Sequence, residues 1–308
     1  MEIMNLINAL PGAAAQGLIW GVMAIGVYLT YRILDVADLT VDGTMCTGGA
    51  VCIMLMLSGC NVWVAMLAAT GAGMLAGLVT GIFHTFMGIP AILAGILTQL
   101  SLYSVNLKIM GKANQAINVD KYDLLVSLRY IKNVPVWQNT ILIVAVIILV
   151  LIALLYWFFG TELGCSLRAT GCNPNMSRAQ GINTARNTAI GLMLSNGLVA
   201  FSSALLAQYQ GFSDVNMGRG AIVIGLAAVI IGEAVFGKIF RNFGFKLLGV
   251  VLGSILYYLV LQTVIWLGID TDLLKLLSAL VVAVFLAFPY WKGKYFSKPA
   301  KKGGSTNA

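Results

Sequence analysis

Long, continuous runs of apolar residues divide this chain, and few charges interrupt them. Of its 308 residues, 59% are hydrophobic and 10% are charged, whereas an average soluble domain is about 25% charged. The chain therefore has too little polar surface to cover a water-soluble fold. This excludes a soluble enzyme, a nucleic-acid-binding module and a disordered chain, and it indicates a multi-pass membrane protein.

Nine apolar segments approach the length of about 20 residues that a membrane-spanning helix needs. They are 14–34, 44–59, 62–82, 89–107, 138–159, 186–207, 220–237, 244–267 and 273–290. Because the runs are continuous rather than alternating, they do not fit an outer-membrane barrel. We predict an all-α polytopic membrane protein with about nine transmembrane helices. Residues 1–290 would form a single transmembrane domain.

The basic residues predict the orientation, because Lys and Arg concentrate on cytoplasmic loops. Residues 291–308 contain five lysines and no acidic residue, so we predict a basic cytoplasmic tail. Counting back from this tail places residues 160–186 and 238–246 inside and the N-terminus outside. The loop 108–137 carries five basic residues on the outer side and weakens the prediction.

Two acidic, glycine-bearing stretches interrupt the apolar pattern. Residues 38–43 precede the second segment, and residues 214–220 precede the seventh. Their offset of five segments would invert the second copy relative to the first. Many transporters are built from inverted repeats with broken helices, so we predict an inverted repeat with interrupted helices.

The sequence contains no pattern typical of catalysis or of a metal site. Its five cysteines form no CxxC, and its single histidine is His84. Residues 232–238 fit most of the phosphate-binding loop pattern, but Ile239 stands where a Ser or Thr should hold Mg²⁺. We predict that the chain is not an enzyme and carries no metal or cofactor.

The predicted cytoplasmic link 160–186 is too long for a simple turn. Asn173 followed by Pro174 is typical of a capped helix start, and Gly181 is typical of a helix end. We expect a short helix lying parallel to the membrane, which would serve as a docking element. A plain basic loop is the alternative.

The link also carries a family resemblance. Arg168-Ala169-x-Gly171-x-Asn173-Pro174, with Arg178-Ala179-x-Gly181-Ile182-Asn183, resembles the cytoplasmic coupling loop of ABC-importer permeases of the branched-chain amino-acid/ribose type. Two glycine-marked blocks, 35–49 and 227–253, are similar to interrupted and glycine-rich helices of that family. Glu233 departs from the small residue expected at its position.

The resemblance implies a set of partners. These are two ABC ATPase subunits that hold ATP and Mg²⁺, a second permease copy in a homodimer, and an extracytoplasmic substrate-binding lipoprotein. The chain would lie in the cytoplasmic membrane of a bacterium, with lipid around it and no nucleic acid bound. The implied ATPase-coupling residues are Arg168, Gly171, Asn173, Pro174, Arg178 and Gly181.

A narrower resemblance concerns the transported solute. Residues 89–97 and 103–111 resemble a subgroup of these permeases that is associated with binding proteins for aromatic amino acids. The resemblance therefore favours tryptophan or tyrosine as the solute. In this family, however, the binding protein mainly determines which substrate is transported.

Polar residues within the apolar segments are candidates for a translocation path. They are Asp38, Asp42, Gln99, Asn106, Asn196, Ser202 and Ser203. The serines and amides could equally form hydrogen bonds between helices.

Two series of glycines at four-residue spacing predict close helix contacts. They are Gly73, Gly77 and Gly81, and Gly249 and Gly253. Such contacts could lie on a dimer surface or inside one bundle.

A second function class is an ion- or proton-coupled secondary carrier that relays charge through Asp38, Asp42 and Glu233. Carboxylates inside a membrane are costly and usually functional. This alternative predicts transport without any partner chain.

Overall fold

The computed structural model describes residues 3–119, 121–122, 124–128 and 139–267, with isolated positions between 273 and 287. The described chain forms ten α-helices and two short strands. The helices are α1 (Ile3–Tyr28), α2 (Thr40–Leu57), α3 (Val62–Thr85), α4 (Ala91–Met110), α5 (Thr140–Gly160), α6 (Glu162–Cys172), α7 (Pro174–Ala179), α8 (Thr184–Gln210), α9 (Ala221–Phe236) and α10 (Phe243–Trp266). The strands are β1 (Asn114–Ala116) and β2 (Phe212–Asp214).

The first eight predicted apolar segments coincide with α1–α5, α8, α9 and α10. Seven of the described helices are long and apolar enough to cross a membrane, and α9 is a shorter apolar helix. This confirms an all-α polytopic membrane protein. The predicted ninth helix (273–290) falls largely outside the described residues, and the tail 291–308 falls wholly outside them, so the count of nine stays a prediction.

The bundle has two distinct ends. At one end β1 pairs antiparallel with β2, with Asn114 opposite Asp214. We call this the β end. At the other, α6 and α7 form the link before α8, and we call this the α7 end. The sequence predicted a single short helix in that link and missed α6.

The chain is interrupted between α1 and α2. Residues Leu29–Leu34 continue α1 as a π-helical turn, and Asp35 ends it with a φ of 55°. A non-glycine residue rarely adopts such a φ, and π-turns are frequent at functional positions. Residues 35–39 are then irregular until α2 begins at Thr40.

The helix contacts follow a two-fold pattern. Helix α1 packs on α10 as α8 packs on α3, α2 packs on α3 as α9 packs on α10, and α2 packs on α8 as α9 packs on α1. Exchanging α1 with α8, α2 with α9 and α3 with α10 leaves this set of contacts unchanged. These pairs are five predicted segments apart, which is the offset of the two acidic stretches and the pattern that an inverted repeat requires.

Both glycine series lie inside the bundle. A Cβ on Gly77 of α3 would collide with the Leu192 carbonyl of α8, and a Cβ on Gly81 would lie 2.9 Å from Ala189 Cα. Gly73 faces the Asn196 carbonyl in the same way. In the second series, a Cβ on Gly253 of α10 would lie 2.6 Å from the Gly232 nitrogen of α9, and Gly249 packs near Phe240. These glycines therefore bring helices of one protomer together.

We expect Gly77→Ala to lower the stability of the bundle, because its methyl group must push α8 away from α3. Overpacking of this kind costs about 1–3 kcal/mol. Gly71 lies on the same helix, and a Cβ there would meet nothing within 4 Å. Gly71→Ala is therefore the matched control, expected to be neutral or slightly stabilising. Thermal midpoints of the purified proteins in detergent test this, and equal midpoints for the two variants would contradict it.

Candidate translocation and coupling sites

The interruption before α2 is held by a buried carboxylate. Asp38 is 2% exposed. Its Oδ1 accepts a hydrogen bond from the Thr40 N–H at 2.9 Å, and its Oδ2 accepts one from Asn196 Nδ2 at 2.7 Å. Asn196 Oδ1 in turn accepts a hydrogen bond from the Thr44 hydroxyl at 2.7 Å. The start of α2 is thereby tied to the middle of α8.

Three threonine hydroxyls extend this polar network to the neighbouring helices. Thr40 Oγ1 lies 2.7 Å from Thr80 Oγ1 on α3, and the Thr80 hydroxyl lies 2.9 Å from that of Thr98 on α4. All three residues are buried. Hydrogen-bonded hydroxyls of this kind join helices where no water is present, so α2, α3 and α4 are fixed together at the interruption.

The second predicted interruption meets the first. Asp42 of α2 accepts hydrogen bonds from the N–H groups of Gly220 and Ile222, both at 2.9 Å. These N–H groups belong to the start of α9, where backbone donors lack partners within the helix and the helix dipole favours a negative charge. Asp42 therefore caps α9 from another helix, and the two acidic stretches that interrupt the pattern lie in contact.

A cavity of about 280 Å³ lies between α2, α4 and the segment before α9. Its polar lining comprises Asp42 and Cys46 of α2, Gln99, Tyr103 and Asn106 of α4, and Arg219. Asn106 is fully buried, and its Oδ1 has no hydrogen-bond partner among the described residues. Buried polar atoms are nearly always paired, so this acceptor stands ready for a donor that enters the cavity.

Of the seven predicted path residues, three line this cavity: Asp42, Gln99 and Asn106. Asp38 and Asn196 lie in the buried network. The two serines join helices: Ser202 donates to the Ile19 carbonyl of α1 at 2.7 Å, and Ser203 donates to the Met45 carbonyl of α2. The structure thus divides the seven predicted residues into those that line the cavity and those that form hydrogen bonds within the bundle.

At the α7 end, the predicted short helix is present as α7. Asn173 Oδ1 accepts a hydrogen bond from the Met176 N–H at 3.1 Å, and Pro174 occupies the first turn. Gly181 follows with a φ of +81°, a conformation that favours glycine. Met176 and Arg178 are exposed on this helix. Its outer surface is therefore open to a partner.

Helix α6 fixes α7 to the bundle. Gly171 lies so close to Ile33 that a Cβ would collide with the Ile33 carbonyl, and it also abuts Leu34. Asn187 of α8 donates hydrogen bonds to Ser166 and Thr170 of α6 at 3.2 and 3.0 Å. The predicted coupling glycine thus packs α6 against the π-turn.

The other predicted coupling residues have distinct surroundings. The Arg168 guanidinium lies 4.9 Å from the Phe243 ring centre and donates to the Phe159 carbonyl at 3.1 Å, which joins α6 to α5 and α10. Arg178 Nε donates to the Thr184 hydroxyl at 2.9 Å. Arg178 also lines a cavity of about 360 Å³, together with Asp35 and His84.

The three carboxylates of the carrier alternative have separate partners. Asp38 and Asp42 each have their own hydrogen-bond donors, as described above. Glu233 of α9 instead pairs with Arg32 of the π-turn at 3.0 Å. The structure gives Glu233 a partner at the α7 end, where it joins α9 to the interruption after α1.

Comparison with known proteins decides the family. The family model for the permease component of branched-chain amino acid transport systems matches residues 10–287. This chain belongs to that permease family. The match confirms the family resemblance, and it supports a multi-pass membrane protein of the ABC-importer permease class.

Three relatives show the range of the family. A tyrosine transport system permease protein of Clostridioides difficile is 39% identical over 272 residues, which are 88% of each chain. An uncharacterised protein of Rickettsia prowazekii is 34% identical over 91% of this permease and 97% of that protein. A fructose import permease of Bifidobacterium longum is 26% identical over 80% and 68%. No solved structure matches.

Sequence reasoning missed several residues that the structure brings into these sites. Arg219 lines the cavity, and Thr40, Thr44, Thr80 and Thr98 build the buried network. Each of these threonines lies three or four residues from another polar or small residue, but threonine is common on any membrane helix. Arg219 lies within the second acidic stretch (214–220), where it is the one basic residue, and that position is the sequence signal that could have identified it.

We expect Asn196→Asp to destabilise the permease strongly, because it sets a second carboxylate against Asp38. Loss of a satisfied buried partner costs about 2 kcal/mol or more. Adding Asp38→Asn exchanges the two side chains, and the amide of residue 38 can then donate to the carboxylate of residue 196. The double variant should regain most of the thermal midpoint. A double variant no more stable than Asn196→Asp would contradict the assigned hydrogen bond.

Proposed function

We propose that this chain is the membrane-spanning subunit of an ATP-driven importer for an amino acid, with aromatic amino acids favoured. A homodimer of the chain would work with two ATPase subunits that bind ATP and Mg²⁺. An extracytoplasmic binding lipoprotein would deliver the solute. The complex lies in the cytoplasmic membrane of a bacterium, with the α7 end and the C-terminus in the cytoplasm.

The observation that carries this proposal is the capped helix α7 and its firm connection to the interruption. Met176 and Arg178 stand exposed on α7, as a docking element requires. Behind them, Gly171 of α6 packs on Ile33 and Leu34 of the π-turn. Four residues farther along the chain, Asp38 holds the start of α2. A push on α7 therefore reaches the elements that border the cavity.

This connection suggests how ATP drives transport. Closure of the two ATPases would move α7 and, with it, α6. Helix α6 would pass this movement to α8, α5 and α10, because Asn187 and Arg168 join it to those helices. Residues 35–39 after the π-turn are irregular and so can change conformation with less loss of hydrogen bonds than a continuous helix. Movement there would rock α2 and α9, which meet at Asp42, and so switch access to the cavity.

The position of the cavity is evidence that a second copy of the permease packs against α4. Leu100 and Tyr103 on its rim are 64% and 46% exposed. Ionisable side chains within a membrane face the bundle interior or a water-filled space rather than lipid. Because Asp42 and Arg219 line a cavity that reaches this surface, a second protein chain rather than lipid would cover it. A path between two copies would then run along α4.

The solute proposal rests on two observations. The relative with 39% identity is named for tyrosine transport, and its match covers 88% of this chain. The cavity also combines charged and amide groups with the Tyr103 ring, which suits an amino acid with an aromatic side chain.

We expect Arg178→Glu to reduce uptake of labelled L-tyrosine by about tenfold or more, since it reverses the charge offered by α7 and like charges across an interface are strongly unfavourable. The thermal midpoint should fall only slightly, because Arg178 is exposed and loses within this chain the hydrogen bond to Thr184. Arg178→Lys keeps the charge and is the matched control. Unchanged uptake in Arg178→Glu cells would contradict docking through α7.

A further inference from the structure

We propose that the cavity beside α4 binds both charged groups of an α-amino acid, so that the permease itself selects zwitterions. The inference rests on the proposed function and adds a second selection step after the binding protein. Asn106 and Asp42 would receive the ammonium group, and Arg219 would receive the carboxylate.

The ammonium group would bind to hydrogen-bond acceptors in the cavity that can accept further donors. Asn106 Oδ1 is buried and unpaired among the described residues, while its Nδ2 donates to the Gly43 carbonyl at 3.4 Å. Each Asp42 oxygen accepts one backbone N–H and keeps further acceptor capacity. An ammonium group brings three donors and no acceptor. It would satisfy Asn106 and approach the Asp42 charge at the same time.

The carboxylate side is defined by Arg219. Its side chain is exposed, it lines the cavity, and it forms no ion pair within the described part of the chain. A guanidinium can hold a carboxylate through two parallel hydrogen bonds. Arg219 follows Gly218, whose Cα lies against the Asp42 carbonyl. Acid and base are therefore held on one rim by the contact between α2 and the start of α9.

The charge balance of the cavity favours a zwitterion. Asp42 and Arg219 are its only ionisable acid and base of full charge in the described lining, and they sum to zero. A ligand with one charge would pair with only one of these two side chains, whereas a zwitterion would pair with both. The volume of about 280 Å³ is that of a small-solute cavity. Leu100 and the Tyr103 ring would contact the side chain.

The test measures equilibrium binding of labelled L-tyrosine to the full-length permease in lipid nanodiscs without any binding protein. Competitors are tyramine, which lacks the carboxylate, 4-hydroxyphenylpropionate, which lacks the ammonium group, and fructose. We expect each analogue with one charge to compete at least about tenfold more weakly than L-tyrosine, because each loses a charge-assisted contact. Fructose should not compete.

Variants assign the two charged contacts. Arg219→Gln should weaken L-tyrosine binding by about tenfold or more and leave tyramine binding unchanged, and Arg219→Lys should restore part of it. Asn106→Leu should weaken L-tyrosine and tyramine but not the carboxylate analogue. Lys108→Gln removes a positive charge from the same helix outside the cavity lining and is the control.

The outcomes separate this inference from the proposed function. Absent or non-saturable binding, equal competition by all analogues, or Arg219→Gln binding like the unchanged protein would each overturn the zwitterion site. Uptake of L-tyrosine by intact cells is measured in parallel with the gene deleted and restored. Uptake that depends on the gene, together with failed binding, rejects only the site; uptake that does not depend on it rejects the aromatic solute of the proposed function.

Discussion

The fold depends on how the starts of α2 and α9 are satisfied inside the bundle. A helix start leaves backbone N–H groups without partners, and no water is available in a bilayer core to receive them. Asp38 accepts a hydrogen bond from the Thr40 N–H at the start of α2. Asp42 of α2 accepts hydrogen bonds from two backbone N–H groups at the start of α9. Two acidic side chains thus allow two broken helices to meet. The same contact places Asp42 beside Arg219 and forms one wall of the cavity.

The proposed coupling and solute sites lie at opposite ends of one connected path. At the α7 end, Gly171 and the Arg32–Glu233 pair hold the π-turn between α6 and α9. Residues 35–39 then lead to α2, whose Asp42 and Cys46 line the cavity. The proposed function needs such a path, because an ATP-binding partner at the α7 end would not touch the solute. The irregular backbone between α1 and α2 is the element that can have two arrangements.

Much of this architecture is predictable from the sequence, because hydropathy locates the apolar helices. Their ends are less predictable: α1 begins at Ile3 rather than at residue 14, and α2 begins at Thr40 rather than at residue 44. Asn173 and Pro174 give the start of α7. The first acidic stretch (38–43) only overlaps the observed interruption (35–39), because residues 40–43 already belong to α2, whereas the second stretch (214–220) lies directly before α9. The contacts are not predictable in the same way. Glycine spacing shows that a helix approaches closely but not which one, so only the structure pairs Gly77 with α8. The serine and asparagine side chains of α8 likewise fit either a path or interhelix bonds until their partners are known. Helix α6 was missed because its eleven residues are not continuously apolar, although Thr161 caps its start by accepting a hydrogen bond from the Gly164 N–H.

The proposed function requires that this permease work with a nucleotide-binding partner. The most direct measurement is affinity purification of the chain from its native membranes in mild detergent, followed by native mass spectrometry of the intact assembly. We expect two copies of the permease together with two copies of an ATPase subunit. Recovery of the chain alone, even after crosslinking in the membrane, would contradict it.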